Sequence, residues 1–282
     1  SDLVLDFAGA PVYAKRRRGQ GIPLLFLHGF GDYGDCWRGL LARLPHTLDV
    51  TLLDSFGHGH SGVPAEGCDS VSRRDATIAL LREHLGQSVL VGHSMGAATA
   101  VAVAAQAPEL VAALVLEDPP WWVGALDEEH RDPLKIARGE PIVQWIEGMQ
   151  QQTLDEVVAY ARSDHPDWDE VEYEDWARSK QRMNLASVDL PFRDIAESVR
   201  TQWAAVQCPA LLLTGDVDRG AIVTDEVAQQ FLTGVAGGER SHHPSASHDV
   251  RRDAAADVSA AITDFLHRRA GFAEGDAGLT RQ

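Results

Sequence analysis

The sequence predicts an α/β protein on a mostly parallel sheet. Short apolar runs alternate with segments of amphipathic or small-residue character, glycine-rich turns follow several runs directly, and the alternation stops only in one stretch past the middle. A chain of 282 residues can bury a large core, and one elaborated domain accounts for that length.

The elements follow in order. A hairpin is expected across residues 3–18, then strands at 22–27, 50–53, 88–91, 112–116 and 210–213. Helices fill the gaps at 36–44, 72–85, 94–106, 224–231 and 253–268, the last two starting at or just after capping residues. From Pro119 to about Arg200 the chain turns helical in character and holds five of the seven tryptophans. This defines a discontinuous core, 1–120 and 201–282, with a helical lid inserted at 121–200. The insert carries 18 Asp or Glu against 9 Lys or Arg, as expected of a solvated outer face whose tryptophans turn inward. Beyond Leu266 the periodicity is lost, and a loose tail is expected.

Composition narrows the partners. A formal charge of −17 repels phosphate backbones, so no nucleic-acid partner is expected. No apolar run reaches the length of a bilayer span, so no membrane partner is expected either. Cys36, Cys68 and Cys208 are odd in number and widely spaced, which suggests neither a disulfide framework nor a zinc cluster, and a reducing cytoplasm is the expected compartment. A small-molecule substrate is the expected partner, and a homodimer is left open.

The chemistry-bearing motif is Gly92-His93-Ser94-Met95-Gly96, placed between the run at 88–91 and the small residues Ala97, Ala98, Thr99 and Ala100. A serine at a sharp strand-to-helix turn needs strained backbone angles, and flanking glycines remove the side chains that would collide there. The helix start beneath it points N–H groups and a positive dipole end at the reaction centre. Upstream, His28-Gly29-Phe30-Gly31-Asp32 leaves a strand through two glycines, and Asp54 through Gly62 has the spacing of a second such turn. His28 is expected to brace its turn, and neither His58 nor His60 is expected to be a base.

With a late histidine added, these motifs resemble the α/β-hydrolase superfamily. The resemblance implies a mostly parallel eight-stranded sheet flanked by helices; no P-loop or metal-ligand spacing appears in the sequence, so no cofactor and no metal are expected. The resemblance also implies oxyanion donors at the N–H groups of Phe30 and Met95, and a base at His248, after the last strand and before the terminal helix. His242 and His243 are weaker candidates, because Pro244 follows too early. The acid is either Asp118 or Asp218. The usual Gly-x-x-Asp turn points to Asp218, but here Arg219-Gly220-Ala221 lengthen it before Ile222-Val223. Asp118 follows the run at 112–116 in Glu117-Asp118-Pro119-Pro120, 24 residues after Ser94, where some dehalogenase and lactonase members of the superfamily take their acid, and it is preferred.

A serine nucleophile implies acyl transfer to water, and the expected substrate is a carboxylic ester or lactone. Trp121 and Trp122, directly after that run, are expected to bind a bulky, hydrophobic, uncharged group. The rivals are a carbon–carbon bond hydrolase or hydroxynitrile lyase on the same triad, and a non-catalytic small-molecule receptor.

Overall fold

The computed structural model describes residues 1–121, 142–187 and 202–270. Trp122 and the expected tail beyond 270 lie outside the described residues. Eight strands, β1 (Asp2–Phe7), β2 (Ala10–Arg17), β3 (Gln20–Leu27), β4 (Leu48–Leu53), β5 (Ser88–His93), β6 (Val111–Glu117), β7 (Ala210–Thr214) and β8 (Gly238–His242), form one sheet in the order β1-β2-β4-β3-β5-β6-β7-β8. β1 and β2 pair antiparallel across a tight turn in which Ala8 and Gly9 both have positive φ, as a two-residue hairpin loop requires. β2 also runs antiparallel to β4, and from β4 to β8 every pairing is parallel.

The central strands β4 and β5 are buried along their whole length, as expected of a parallel sheet covered on both faces. Alternation divides their neighbours between two cores. Leu25, Leu27, Leu114, Leu116 and Leu212 face one side, where helices α2 (Ser70–Leu80) and α3 (Met95–Gln106) pack. Leu24, Phe26, Ala113, Val115, Leu211 and Leu213 face the other, against Trp37 and the long C-terminal helix.

Local chemistry sets the helix ends. Asp69 accepts the Ser72 N–H to start α2, and the helix predicted over 72–85 widens into a π turn at Leu81–Leu85. The helix predicted over 36–44 is a 3-10 turn, Gly34–Trp37, running into α1 (Arg38–Leu41). The terminal helix is two pieces that meet at Ala254, whose φ of −130° is not helical. β8, of sequence Gly-Glu-Arg-Ser-His, has no apolar run to announce it and sits at the sheet edge, where a polar strand is tolerated.

Between β6 and β7 the described residues include three α-helices, α4 (Ile142–Gln150), α5 (Leu154–Asp164) and α6 (Glu170–Arg182). Thr153 and Glu156 close a capping box at the start of α5. Met149, Val157, Ala161, Trp168, Tyr173, Trp176 and Ala177 give these helices a small core of their own. The chain continues with α7 (Asp225–Gly234), capped by Thr224, then α8 (Val250–Asp253) and α9 (Ala255–Arg269). No described helix is long and apolar enough to cross a membrane.

Candidate active site

Ser94 sits between β5 and α3 with φ 49° and ψ −114°, a backbone region an L-residue occupies only under constraint. The constraint is visible on both sides. A Cβ on Gly92 would stand 2.5 Å from the Gly96 carbonyl oxygen, and one on Gly96 would stand 2.0 Å from the Leu27 carbonyl oxygen. Only glycine lets α3 approach β3 this closely. Ser94 is half-buried, and Met95 opens α3, so the Met95 N–H belongs to the first turn, which has no acceptor within its own helix.

His248 lies on the loop before α8, and this loop is tied to the elbow. His93 Nε2 donates to the His248 carbonyl at 3.1 Å, and the two rings lie 4.7 Å apart. The Asp216 N–H donates to the Ala246 carbonyl, fixing the His248 loop to the end of β7. His248 Nδ1 donates to Asp118 Oδ2 at 2.6 Å. The Asp118 side chain has no exposed surface, whereas that of His248 is 31% exposed, so the imidazole keeps one edge open. Burial works against its charged form, but the bond to Asp118 and the negative charge there outweigh burial and raise the His248 pKa.

Asp118 is held as firmly as it holds. It has φ 35°, and its carboxylate also accepts the N–H groups of Ile222 (2.8 Å) and Val223 (3.0 Å). The rival acid, Asp218, is exposed on a 3-10 turn, Val217–Arg219, where its N–H caps onto Asp216. The lengthened turn therefore brings backbone donors to Asp118, while Asp118 takes the histidine.

The loop after β3 is braced by two neutral histidines. His28 Nδ1 donates to the Gly29 carbonyl at 2.7 Å, and its Nε2 accepts the Ser55 N–H at 2.9 Å. His58 Nδ1 donates to the Phe56 carbonyl, and its Nε2 accepts the Gly31 N–H at 3.1 Å. Burial lowers both pKa values, that of His58 to about 3, so each ring stays uncharged and acts as a spacer. His60 bonds Asp54, which also accepts the Gly34 N–H, so the second glycine turn is built around a buried carboxylate. Phe30 is half-buried, its ring edge-on to His58 at 5.6 Å.

Beneath this surface lies a cluster of buried charges that inspection of the sequence does not reveal. Arg251 bonds Glu117 and Asp32; Arg252 bonds Asp32, Glu172 and Asp249; Lys180, from α6, bonds Asp32. Arg251 also lies over the Trp37 ring and Arg252 over that of Trp168. Burial alone would raise the Asp32 carboxyl, but Arg252, Lys180 and Arg251 hold it well below the usual range. Asp32, His93 and Asp249 bring potential ligand atoms within 4.8 Å of one another, yet the three cations already neutralise both carboxylates, so the group is an ion-pair cluster. The signal available in sequence was the run Arg251-Arg252 close after His248, but their partners are scattered from Asp32 to Asp249.

Trp121 requires a correction. It is fully enclosed, stacking on Phe231 at 5.3 Å and meeting Trp203 at 4.8 Å in the core beside α7, so it offers no surface to a ligand. A large apolar ring at a strand end gains more from burial than from lining a wet cleft. The Trp122 assignment lies outside the described residues.

Comparison with known proteins agrees with this architecture. A family profile for the alpha/beta hydrolase fold matches residues 22–216. A non-heme haloperoxidase of Mycobacterium phage D29 is 36% identical over 120 residues, 42% of this chain and 41% of that protein. The 2-succinyl-6-hydroxy-2,4-cyclohexadiene-1-carboxylate synthase of Enterobacter sp. strain 638 is 29% identical over 266 residues, 90% of this chain and 96% of the synthase. The solved structure of an N-formylmaleamic acid deformylase from Pseudomonas putida S16 superposes with a TM-score of 0.77 at 19% identity, over 93% of this chain and all of that one. The chain belongs to the α/β-hydrolase family and is an enzyme of that family.

Proposed function

We propose that this enzyme is a serine hydrolase that cleaves a carboxylic ester or lactone through Ser94, His248 and Asp118. The observation that carries the proposal is the 2.6 Å bond from His248 Nδ1 to the buried Asp118, made on a loop that His93 ties to the strained Ser94 elbow. Asp118 fixes the tautomer in which Nε2 is unprotonated. That nitrogen takes the Ser94 hydroxyl proton as Oγ attacks the acyl carbon, and the N–H groups of Phe30 and Met95 hold the developing oxyanion. The imidazolium then gives its proton to the leaving alcohol, and a water molecule activated by the same nitrogen releases the acid and frees Ser94.

The proposed substrate is hydrophobic and uncharged. Among the described residues, three buried cations, Lys180, Arg251 and Arg252, are each already bonded to a carboxylate, so none of them is spare for a substrate anion. The insert at 121–200, of which α4 to α6 are described, acts as the lid. A second reading, carbon–carbon bond cleavage on the same triad, takes its support from the family's range of chemistry, and the receptor alternative would require a disabled triad. The test is a panel of p-nitrophenyl esters, lactones and a vinylogous diketone, assayed with the parent enzyme and with Ser94→Ala. Turnover of esters or lactones that disappears in Ser94→Ala supports acyl-oxygen cleavage; turnover of the diketone alone would replace it with the carbon–carbon reading.

A further inference from the structure

Lys180 is buried to 4% exposure, far from where a lysine is usually found, and it belongs to the insert. Its ammonium donates to the Gly31 carbonyl at 2.8 Å, to Ser179 Oγ at 3.2 Å and to Asp32 Oδ1 at 3.4 Å, which uses its three N–H groups. It also lies 4.5 Å from the centre of the Trp176 ring.

The bond to Gly31 is the informative one. The peptide whose carbonyl Lys180 grips has as its other end the Asp32 N–H, and that N–H donates to the Gly29 carbonyl at 3.1 Å. The Gly29 carbonyl, which also receives the His28 Nδ1 proton, belongs to the peptide that ends in the Phe30 N–H. In a trans peptide the C=O and N–H point opposite ways, so the two units line up head to tail, from the Lys180 charge to the Phe30 N–H. A hydrogen bond at one end of such a chain polarises the donor at the other, most strongly where water is excluded.

We infer that Lys180 is a positioning residue for the reaction: through the peptides Gly31-Asp32 and Gly29-Phe30 it orients and polarises the Phe30 N–H as an oxyanion donor. The insert is then a working part of the site as well as a cover. The inference rests on the proposed Ser94 mechanism and deepens it. Removing the charge leaves Asp32 paired with Arg251 and Arg252, so Lys180→Met strands no carboxylate.

The test compares the parent, Lys180→Met and Lys180→Arg for ester turnover, for inhibition by phenylboronic acid, which forms a tetrahedral adduct with a nucleophilic serine, and for thermal melting. Removing an oxyanion donor outright lowers kcat by roughly 10²–10³-fold, and a residue acting through that donor is expected to contribute about 10–30-fold. Lys180→Met should lose that much in kcat and in boronate affinity while KM stays within about twofold. Lys180→Arg keeps a charge beside Asp32, should melt near the parent, and should show about a threefold to tenfold loss in the same two quantities. A folded Lys180→Met with parent-like kcat and boronate affinity overturns the inference while leaving the Ser94 mechanism standing. A parent whose turnover survives Ser94→Ala would instead overturn the mechanism itself.

Discussion

Asp118 and His248 are 130 residues apart in the chain and 2.6 Å apart in the fold. The Asp118 carboxylate is fully enclosed and carries two further backbone bonds, so it cannot turn away from the ring. Asp118→Asn should leave an amide that cannot hold His248 in the productive tautomer, and the expected loss in kcat is about 10³–10⁴-fold. Asp218→Asn, on an exposed turn, should change kcat by no more than about twofold. Steady-state kinetics on the two variants checks this assignment, and a mild effect at Asp118 would return the role of acid to Asp218.

The same bond sets the pH dependence. In the proposed mechanism His248 must be neutral to accept a proton, and against the opposing effect of burial Asp118 raises its pKa above the ordinary value of 6.5. The kcat/KM profile should therefore fall on the acid side, with a midpoint above 6.5, and Asp118→Asn should move that midpoint to lower pH. In folding, the raised pKa adds stability that is fully present below the unfolded histidine value and is lost as pH rises through the folded one. Initial rates across a pH series, with a substrate that does not titrate in the range, supply the check.

Much of this arrangement can be read from sequence because it is written locally. The runs that become β3, β5, β6 and β7 are mostly apolar, since parallel strands are covered on both faces, and Gly92 and Gly96 mark the elbow because a Cβ there would run into the backbone of α3 or of the end of β3. What sequence conceals is set by distant partners. β8 is polar and recognisable only from its pairing with β7; Lys180 reads as one charge on an acidic helix until Gly31 and Asp32 are brought beside it. Trp121 misleads for the same reason: its position after β6 suggests the mouth of the site, but its neighbours, Trp203 and Phe231, come from far downstream and draw it into the core.

Arg251 is 1% exposed and pairs with Glu117 and Asp32, one carboxylate on a sheet strand and the other on the loop after β3. Arg251→Met would leave Glu117 buried without its cation, and breaking a buried pair from one side typically destabilises by about 3–5 kcal/mol. Urea unfolding should show a lower midpoint with an unchanged slope. A variant as stable as the parent would mean that water reaches Glu117 readily.

Gly96→Ala should be severe for a different reason. The new methyl would meet the Leu27 and His28 carbonyls, which are backbone and cannot swing aside. The expected destabilisation is about 1–3 kcal/mol for an overpacked site, and the shift of α3 should also displace the Met95 N–H. Thermal melts paired with ester turnover check both effects, with activity falling even at temperatures where the variant remains folded.

The most direct test of the proposed mechanism is covalent labelling of Ser94. A fluorophosphonate probe should add to the parent with 1:1 stoichiometry, peptide mapping should locate the adduct on Ser94, and Ser94→Ala should neither label nor turn over esters. Labelling at another residue, or ester turnover that survives in Ser94→Ala, would contradict it.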